Sequence, residues 1–250
     1  MMRTHIALLT LLLSTLPAAP AAAQQIYLQA DFDDKTIDQP IGTGGPELGE
    51  PVEIYQGPID AIVRGAPLPT PCLEITDQSD CCTGHVRFEF LGGAEISAGM
   101  LYILADFWIP QIPLAGYGLG VREKDGHAYK FVDVMFSIYG TVACSDEGGF
   151  VGFVAPYEVG RVTPVCVAFD MTAGTYDLWI DQQLVLDNQP HDVTGVGIGA
   201  VFISIDNPPD TGDAFYVDNL FVGDYDPMTP TTTTTWGAVK ALFGSGAGSH

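Results

Sequence analysis

The chain has 250 residues, 47% of them hydrophobic, with 29 glycines and 18 prolines; 9 Lys and Arg against 31 Asp and Glu give a formal net charge of −22. Enough apolar residues are present to bury a core, which excludes global disorder, and the Gly and Pro content excludes a bundle of long helices. The charge repels phosphate backbones and excludes nucleic acid as a partner.

Arg3 and His5 precede an apolar run from Ile6 to Leu16, and small residues from Pro17 to Ala23 follow it. A basic start, a short apolar stretch and small residues before the cut are what signal peptidase reads, which places cleavage after Ala23. The run is too short to cross about 30 Å of hydrocarbon. The first cysteine is Cys72, far from the cut, which excludes a lipid-anchored lipoprotein. Residues 1–23 therefore read as an export signal, and the mature chain as secreted or extracytoplasmic, in the periplasm or at the cell surface. No later stretch is long and apolar enough for a membrane span.

Five cysteines, Cys72, Cys81, Cys82, Cys144 and Cys166, all lie in the mature part. Export brings oxidising conditions, so disulfides are expected: Cys72 with Cys81 or Cys82, Cys144 with Cys166, and one thiol left over. No C-x-x-C or H-E-x-x-H spacing points to zinc.

From Gln24 to Asp226 the chain alternates short β-branched and aromatic runs with Gly, Pro, Asn and Asp clusters. The expected strands are Ile26–Ala30, Pro51–Tyr55, Cys72–Thr76, His85–Leu91, Gly99–Ile109, Gly116–Arg122, Ala128–Tyr139, Phe150–Pro156, Val162–Asp170, Thr175–Ile180, Gly199–Asp206 and Ala214–Val222. Strict alternation marks half-buried strands. Val86, Phe88 and Phe90 share one face against His85, Arg87 and Glu89, and Tyr176, Leu178 and Ile180 oppose Asp177 and Asp181. The fold expected is all-β, a large antiparallel β-sandwich over residues 24–226. Residues 227–250 form a Thr-rich linker and a tail, in which Trp236–Phe243 would make two helical turns with Trp236, Val239, Lys240 and Phe243 on one side. Such a tail reads as a docking or sorting peptide, or as a frayed end.

Four segments carry a resemblance: Leu28–Asp34, Cys72–Ser79 (like a strand starting L-x-I-x-D-x-S), Val165–Asp181 and the closing Phe215–Val222. They resemble the concanavalin A-like, laminin G-like jelly-roll domains of secreted bacterial proteins. The resemblance implies a jelly roll, and a group that includes carbohydrate-binding modules, lectins and some glycoside hydrolases. Glucanases of this fold place acids as E-x-D-x-x-E or E-x-D-x-E on one strand, and neither pattern occurs here.

Other chemistry is sparse. Histidines of the domain are His85, His127 and His191, and there is no G-x-S-x-G elbow. Gly116–Gly120 and Gly195–Gly199 are G-x-G-x-G runs that read as strands or bends and not as dinucleotide loops. Arg87 and Glu89 read as an ordinary ion pair. Calcium is the expected metal: Asp31 and Asp33, with Asp34, end the first strand, Asp218 and Asn219 lie in the last, and hard oxygen ligands suit Ca²⁺. In the resembled group first and last strands commonly neighbour each other. Sugars bind by aromatic stacking with hydrogen bonds from acids and amides. Tyr102, Asp106 and Trp108 share one face of a strand, as do Tyr129, Phe131 and Asp133. Placed on one open sheet, the two faces would make an aromatic, acidic groove. The expected function is an exported non-catalytic module that binds extracellular carbohydrate or another cell-surface component. The alternatives are a glycoside hydrolase or lyase of the same fold, and an adhesive surface protein.

Overall fold

The computed structural model describes residues 24–41, 51–54 (backbone only), 59–78, 83–125, 128–206 and 213–226. Residues 1–23, expected to be an export signal, lie outside the described residues, as do Cys81, Cys82, His127 and the tail from residue 227. The strands are β1 (Ile26–Ala30), β2 (Pro51–Ile54), β3 (Ile59–Arg64), β4 (Cys72–Asp77), β5 (Gly84–Glu89), β6 (Met100–Trp108), β7 (Gly116–Arg122), β8 (Lys130–Phe136), β9 (Thr141–Asp146), β10 (Gly149–Pro156), β11 (Val162–Asp170), β12 (Thr175–Ile180), β13 (Gln183–Pro190), β14 (Ala200–Asp206) and β15 (Ala214–Gly223).

They form two antiparallel sheets packed as a sandwich. The eight-stranded sheet runs β13-β12-β11-β6-β15-β4-β3, with β1 also paired to β15; the seven-stranded sheet runs β10-β9-β8-β7-β14-β5-β2. Period-two alternation drives the packing. In β6, Leu101, Ile103, Ala105 and Phe107 are buried and alternate with half-buried Tyr102, Leu104, Asp106 and Trp108. In β5, Val86 and Phe88 turn inward while His85, Arg87 and Glu89 turn outward. Phe107 meets Phe136 of the opposite sheet at 5.1 Å between ring centroids.

The disulfide expectation is corrected for the described cysteines, since Cys72, Cys144 and Cys166 are all free, buried thiols. Cys144 faces the core from β9, with its sulfur 3.4 Å from the Tyr176 hydroxyl. Cys166 lies on β11 of the other sheet among outward-facing positions, directly across from Leu104 and Trp179. The core separates the two. The Cys72 sulfur sits 3.7 Å from the Arg64 carbonyl and 3.8 Å from that of Ala66. Burial pushes the thiols of Cys72 and Cys144 up to about 11, and that of Cys166 higher still. The thiolate is the nucleophile, so iodoacetamide should label none of the three in the native protein and all three in denaturant. Rapid native labelling at Cys166, read by mass spectrometry, would contradict this placement.

His191 is 3% exposed, lies against Phe131 and Phe169, and accepts a hydrogen bond at Nδ1 from the Val193 N–H. Its pKa lies below the ordinary value because burial disfavours the imidazolium; Asp192 and Asp146 oppose that shift without cancelling it. Stability from the neutral ring is therefore complete above about pH 6.5 and is lost as pH falls from there through the folded-state pKa. The slope cannot exceed about 1.4 kcal/mol per pH unit for one proton. Urea melts between pH 5 and 7.5 should show the loss, and His191→Gln should flatten it.

Candidate functional site

The most strongly built surface is the outer face of the seven-stranded sheet. Its floor is β7, where Gly116, Gly118 and Gly120 alternate with inward Tyr117, Leu119 and Val121. A side chain at Gly120 would collide with its neighbours: its Cβ would stand 2.8 Å from Asp133 Oδ1 and 3.2 Å from both terminal nitrogens of Arg122. Glycine there lets the Arg122–Asp133 ion pair lie over the strand. Lys130 joins it, 3.7 Å from Asp133 and 3.2 Å from the Ser145 hydroxyl. On the other side the Arg122 guanidinium lies 5.7 Å from the Phe202 ring, and His85 stacks on the same ring at 4.5 Å and 9°. Arg87 and Glu89 form the ion pair their shared face implies, at 3.1 Å.

The strand register lines these residues up. Arg87 stands opposite Phe202, Phe202 opposite Gly120, Gly120 opposite Asp133, Asp133 opposite Ser145, and Ser145 opposite Phe150. A parallel row runs through His85, Ser204, Gly118, Met135, Ala143 and Phe153. Both rows end on the edge strand β10, where Phe150 and Phe153 rise beside the small residues Ser145 and Ala143. Residues three apart on a regular strand face opposite ways. Here the register shifts between Phe150 and Gly152 and puts both rings opposite outward positions of β9. Tyr139, from the β8–β9 turn, meets Phe153 edge-on at 5.7 Å, and Phe150 meets Phe153 at 5.3 Å. These three rings are 72%, 65% and 55% exposed for Tyr139, Phe150 and Phe153.

The expected sugar residues divide between the two sheets. Asp133 is in the row just described, whereas Phe131 is fully buried and packs in the core against Phe169 and His191. Tyr129 precedes β8, is exposed, and its N–H donates to Glu123 at 2.8 Å. Tyr102, Asp106 and Trp108 face outward from β6 of the eight-stranded sheet, so the core separates them from Asp133 and the single groove is not formed. Trp108 packs edge-on against Tyr216, whose hydroxyl donates to Glu74 at 2.6 Å. Asp106 accepts a hydrogen bond from the Asn219 amide at 2.7 Å.

The first and last strands do neighbour each other, with Ala30 opposite Leu220 and Leu28 opposite Val222. On that side β15 pairs with β4 through Val217 and with β1 from Leu220 onward. The change of partner comes at Asp218 and Asn219, where the register against β6 shifts and Asn219 adopts φ 55°. Asp218 is 2% exposed. Its carboxylate accepts from the Thr70 hydroxyl and from the Asn219 N–H, both at 2.7 Å, and Asp31 accepts from the Asp33 N–H at 3.3 Å. Among the described residues no three His, Cys, Asp or Glu side chains form a group that could hold a metal. Asp218→Ala removes the buried acceptor of two part-buried hydrogen bonds and should cost about 1–2 kcal/mol. That loss should appear in melts with calcium and in melts with chelator. A loss seen with calcium alone would mean that an ion, and not the carboxylate, clasps the strands.

His85, Arg122, Phe202, Met135, Tyr139, Phe150 and Phe153 were not expected as site residues. The available signal was the G-x-G-x-G run, because glycine at every outward position of one strand leaves room for its neighbours to lean across.

No protein-family model and no curated protein matches the chain. Among solved structures it is similar to a sialidase, at 12% identity and a TM-score of 0.53, over 77% of this chain and 18% of the other. It is similar to the cellulose induced protein Cip1, at 13% and 0.53, over 79% of this chain and 97% of the other. It is also similar to the T. cruzi calreticulin globular domain, at 9% and 0.53, over 88% and 94%. The chain thus spans under a fifth of the sialidase. At these identities the likeness is one of fold, and that fold is a jelly-roll-like all-β sandwich of two antiparallel sheets.

Proposed function

We propose that this protein is an exported, non-catalytic module that binds neutral glycan across the outer face of its seven-stranded sheet. One observation carries the reading: stacked rings, paired charges and exposed aromatics stand in register from β5 to β10. Sugar rings present C–H faces to aromatic side chains and hydroxyls to planar polar groups. The Arg122–Asp133 pair offers donors and acceptors side by side, and Phe150, Phe153 and Tyr139 offer ring faces. Five strand spacings make the row about 24 Å long, room for an oligosaccharide of several units. The cations of this face are engaged with carboxylates of the same face, while the chain as a whole carries −22. Neutral sugars suit such a surface better than anionic ones. The similar sialidase and cellulose-induced protein are carbohydrate-related, which agrees with the reading.

A glycan array of neutral and anionic polysaccharides, with reducing-end release measured in parallel, tests it. The expected result is binding to neutral chains without release. Silence across the array would remove the glycan reading, and release of reducing ends would replace the module with an enzyme.

A further inference from the structure

The loops at one end of the sandwich form an apolar rim. β6 ends beside the start of β11, with Trp108 opposite Val162, and the Gly160 N–H donates to the Ile109 carbonyl at 2.7 Å. The Tyr157 N–H donates to the Gly140 carbonyl at 3.2 Å, and the tip of Ile112 lies 3.4 Å from where a Gly140 side chain would begin. The β6–β7, β8–β9 and β10–β11 connections are therefore neighbours. They expose Ile112, Leu114, Ile138, Tyr139 and Val159, and Phe153 continues the patch onto β10. Their ionised side chains, Glu158 and Arg161, lie 3.9 Å apart as a pair. Exposed apolar side chains gathered at neighbouring loops mark a candidate contact site for another molecule.

The partner's chemistry is constrained by the −22 charge. Anionic lipid is repelled, and so is a second copy presenting its acidic surface. One stretch of this chain escapes that repulsion: from Pro227 to His250 there is no Asp or Glu, and Trp236-Gly-Ala-Val-Lys-Ala-Leu-Phe243 supplies two aromatics, Val239, Leu242 and a single cation. The rim and this segment start from opposite ends of the domain. β15 begins beside the end of β6, with Tyr216 opposite Trp108, and finishes beside its start, with Gly223 opposite Tyr102. Ten strand residues cover about 33 Å. A random chain of ten residues, the separation of Asp226 and Trp236, would average only about 17 Å end to end. Reaching its own rim would need a nearly extended linker, whereas a neighbouring molecule's rim carries no such demand.

We propose that the Trp236–Phe243 segment of one chain docks on the apolar rim of another copy, giving a head-to-tail association. Such a contact joins two different surfaces, so it closes as a reciprocal exchange between two copies or as a larger ring, or runs on as an open chain.

The test uses the full mature chain and two double variants, Trp236→Ser with Phe243→Ser, and Leu114→Glu with Ile138→Glu. Light scattering after size exclusion gives the mass over a concentration series, and circular dichroism checks that the exposed rim changes leave the fold intact. Wild type is expected to grow in mass with concentration and each double variant to stay monomeric. An equimolar mixture of the two variants retains one working rim and one working tail, and should form a dimer and nothing larger. A synthetic peptide covering residues 231–246 should dissociate the wild-type assembly. A wild type that stays monomeric up to millimolar concentration, a tail variant that still associates, or a mixture that stays monomeric would each overturn the proposal.

Discussion

Phe107→Ala should be the most damaging single change in the domain, at about 3–5 kcal/mol, because a fully buried aromatic leaves both its transfer energy and a cavity behind. Phe107 is 0% exposed and bridges the sheets, with Phe136 across the core at 5.1 Å and Phe215 beside it at 6.3 Å. Tyr117 then stacks on Phe215 at 4.9 Å, so the cavity would open inside one aromatic cluster. For a domain near 200 residues the loss should lower Tm by about 10–15 °C. Urea denaturation of the two proteins gives the difference directly. A loss below about 1 kcal/mol would mean that the sheets do not meet through this cluster.

The largest functional effect should come from Asp133→Ala. The carboxylate holds Arg122 and Lys130 together over Gly120, and it is partly exposed. Removing it takes away an acceptor at the middle of the row and leaves two cations unbalanced. Glycan affinity should fall at least tenfold, about 1.4 kcal/mol, with little change in stability because the site is not deeply buried. Phe153→Ala should weaken binding by a similar factor through loss of a stacking face. Trp108→Ala, on the outer face of the other sheet, is the control and should leave affinity unchanged. Calorimetry with the best array ligand measures all three. Equal losses for Trp108→Ala and Asp133→Ala would show that the change acts through the fold and not through the site.

Much of the sandwich was legible because alternation is a local signal. The bounds expected for Ile26–Ala30, Gly116–Arg122, Val162–Asp170 and Thr175–Ile180 are those observed. Three strands went unseen. β3 (Ile59–Arg64) is short and follows Gly57-Pro58; β9 (Thr141–Asp146) is built of small and polar residues; β13 (Gln183–Pro190) is a polar edge strand with register shifts against β12. Their pairing is imposed by neighbours and not by their own composition. The neighbouring of first and last strands came from the resemblance and is what the structure shows. The site was less legible. Tyr102, Asp106 and Trp108 satisfied the same face rule as Asp133, but which sheet a strand joins is a long-range property that periodicity does not carry. Phe150 and Phe153 were hidden because a bulge, invisible in the spacing, brings them to one face. Cys144 and Cys166 read as partners for the same reason: sequence proximity says nothing about which side of the core each sulfur meets.

On the proposed reading the ligand lies across the seven-stranded sheet. Nuclear magnetic resonance of the Met135 methyl and the aromatic rings, followed during titration with the tightest-binding neutral oligosaccharide, tests it most directly. Shifts confined to Met135, Tyr139, Phe150, Phe153 and Phe202 are the expected result. Shifts at Tyr102, Trp108 and Tyr216, with those five unchanged, would contradict it.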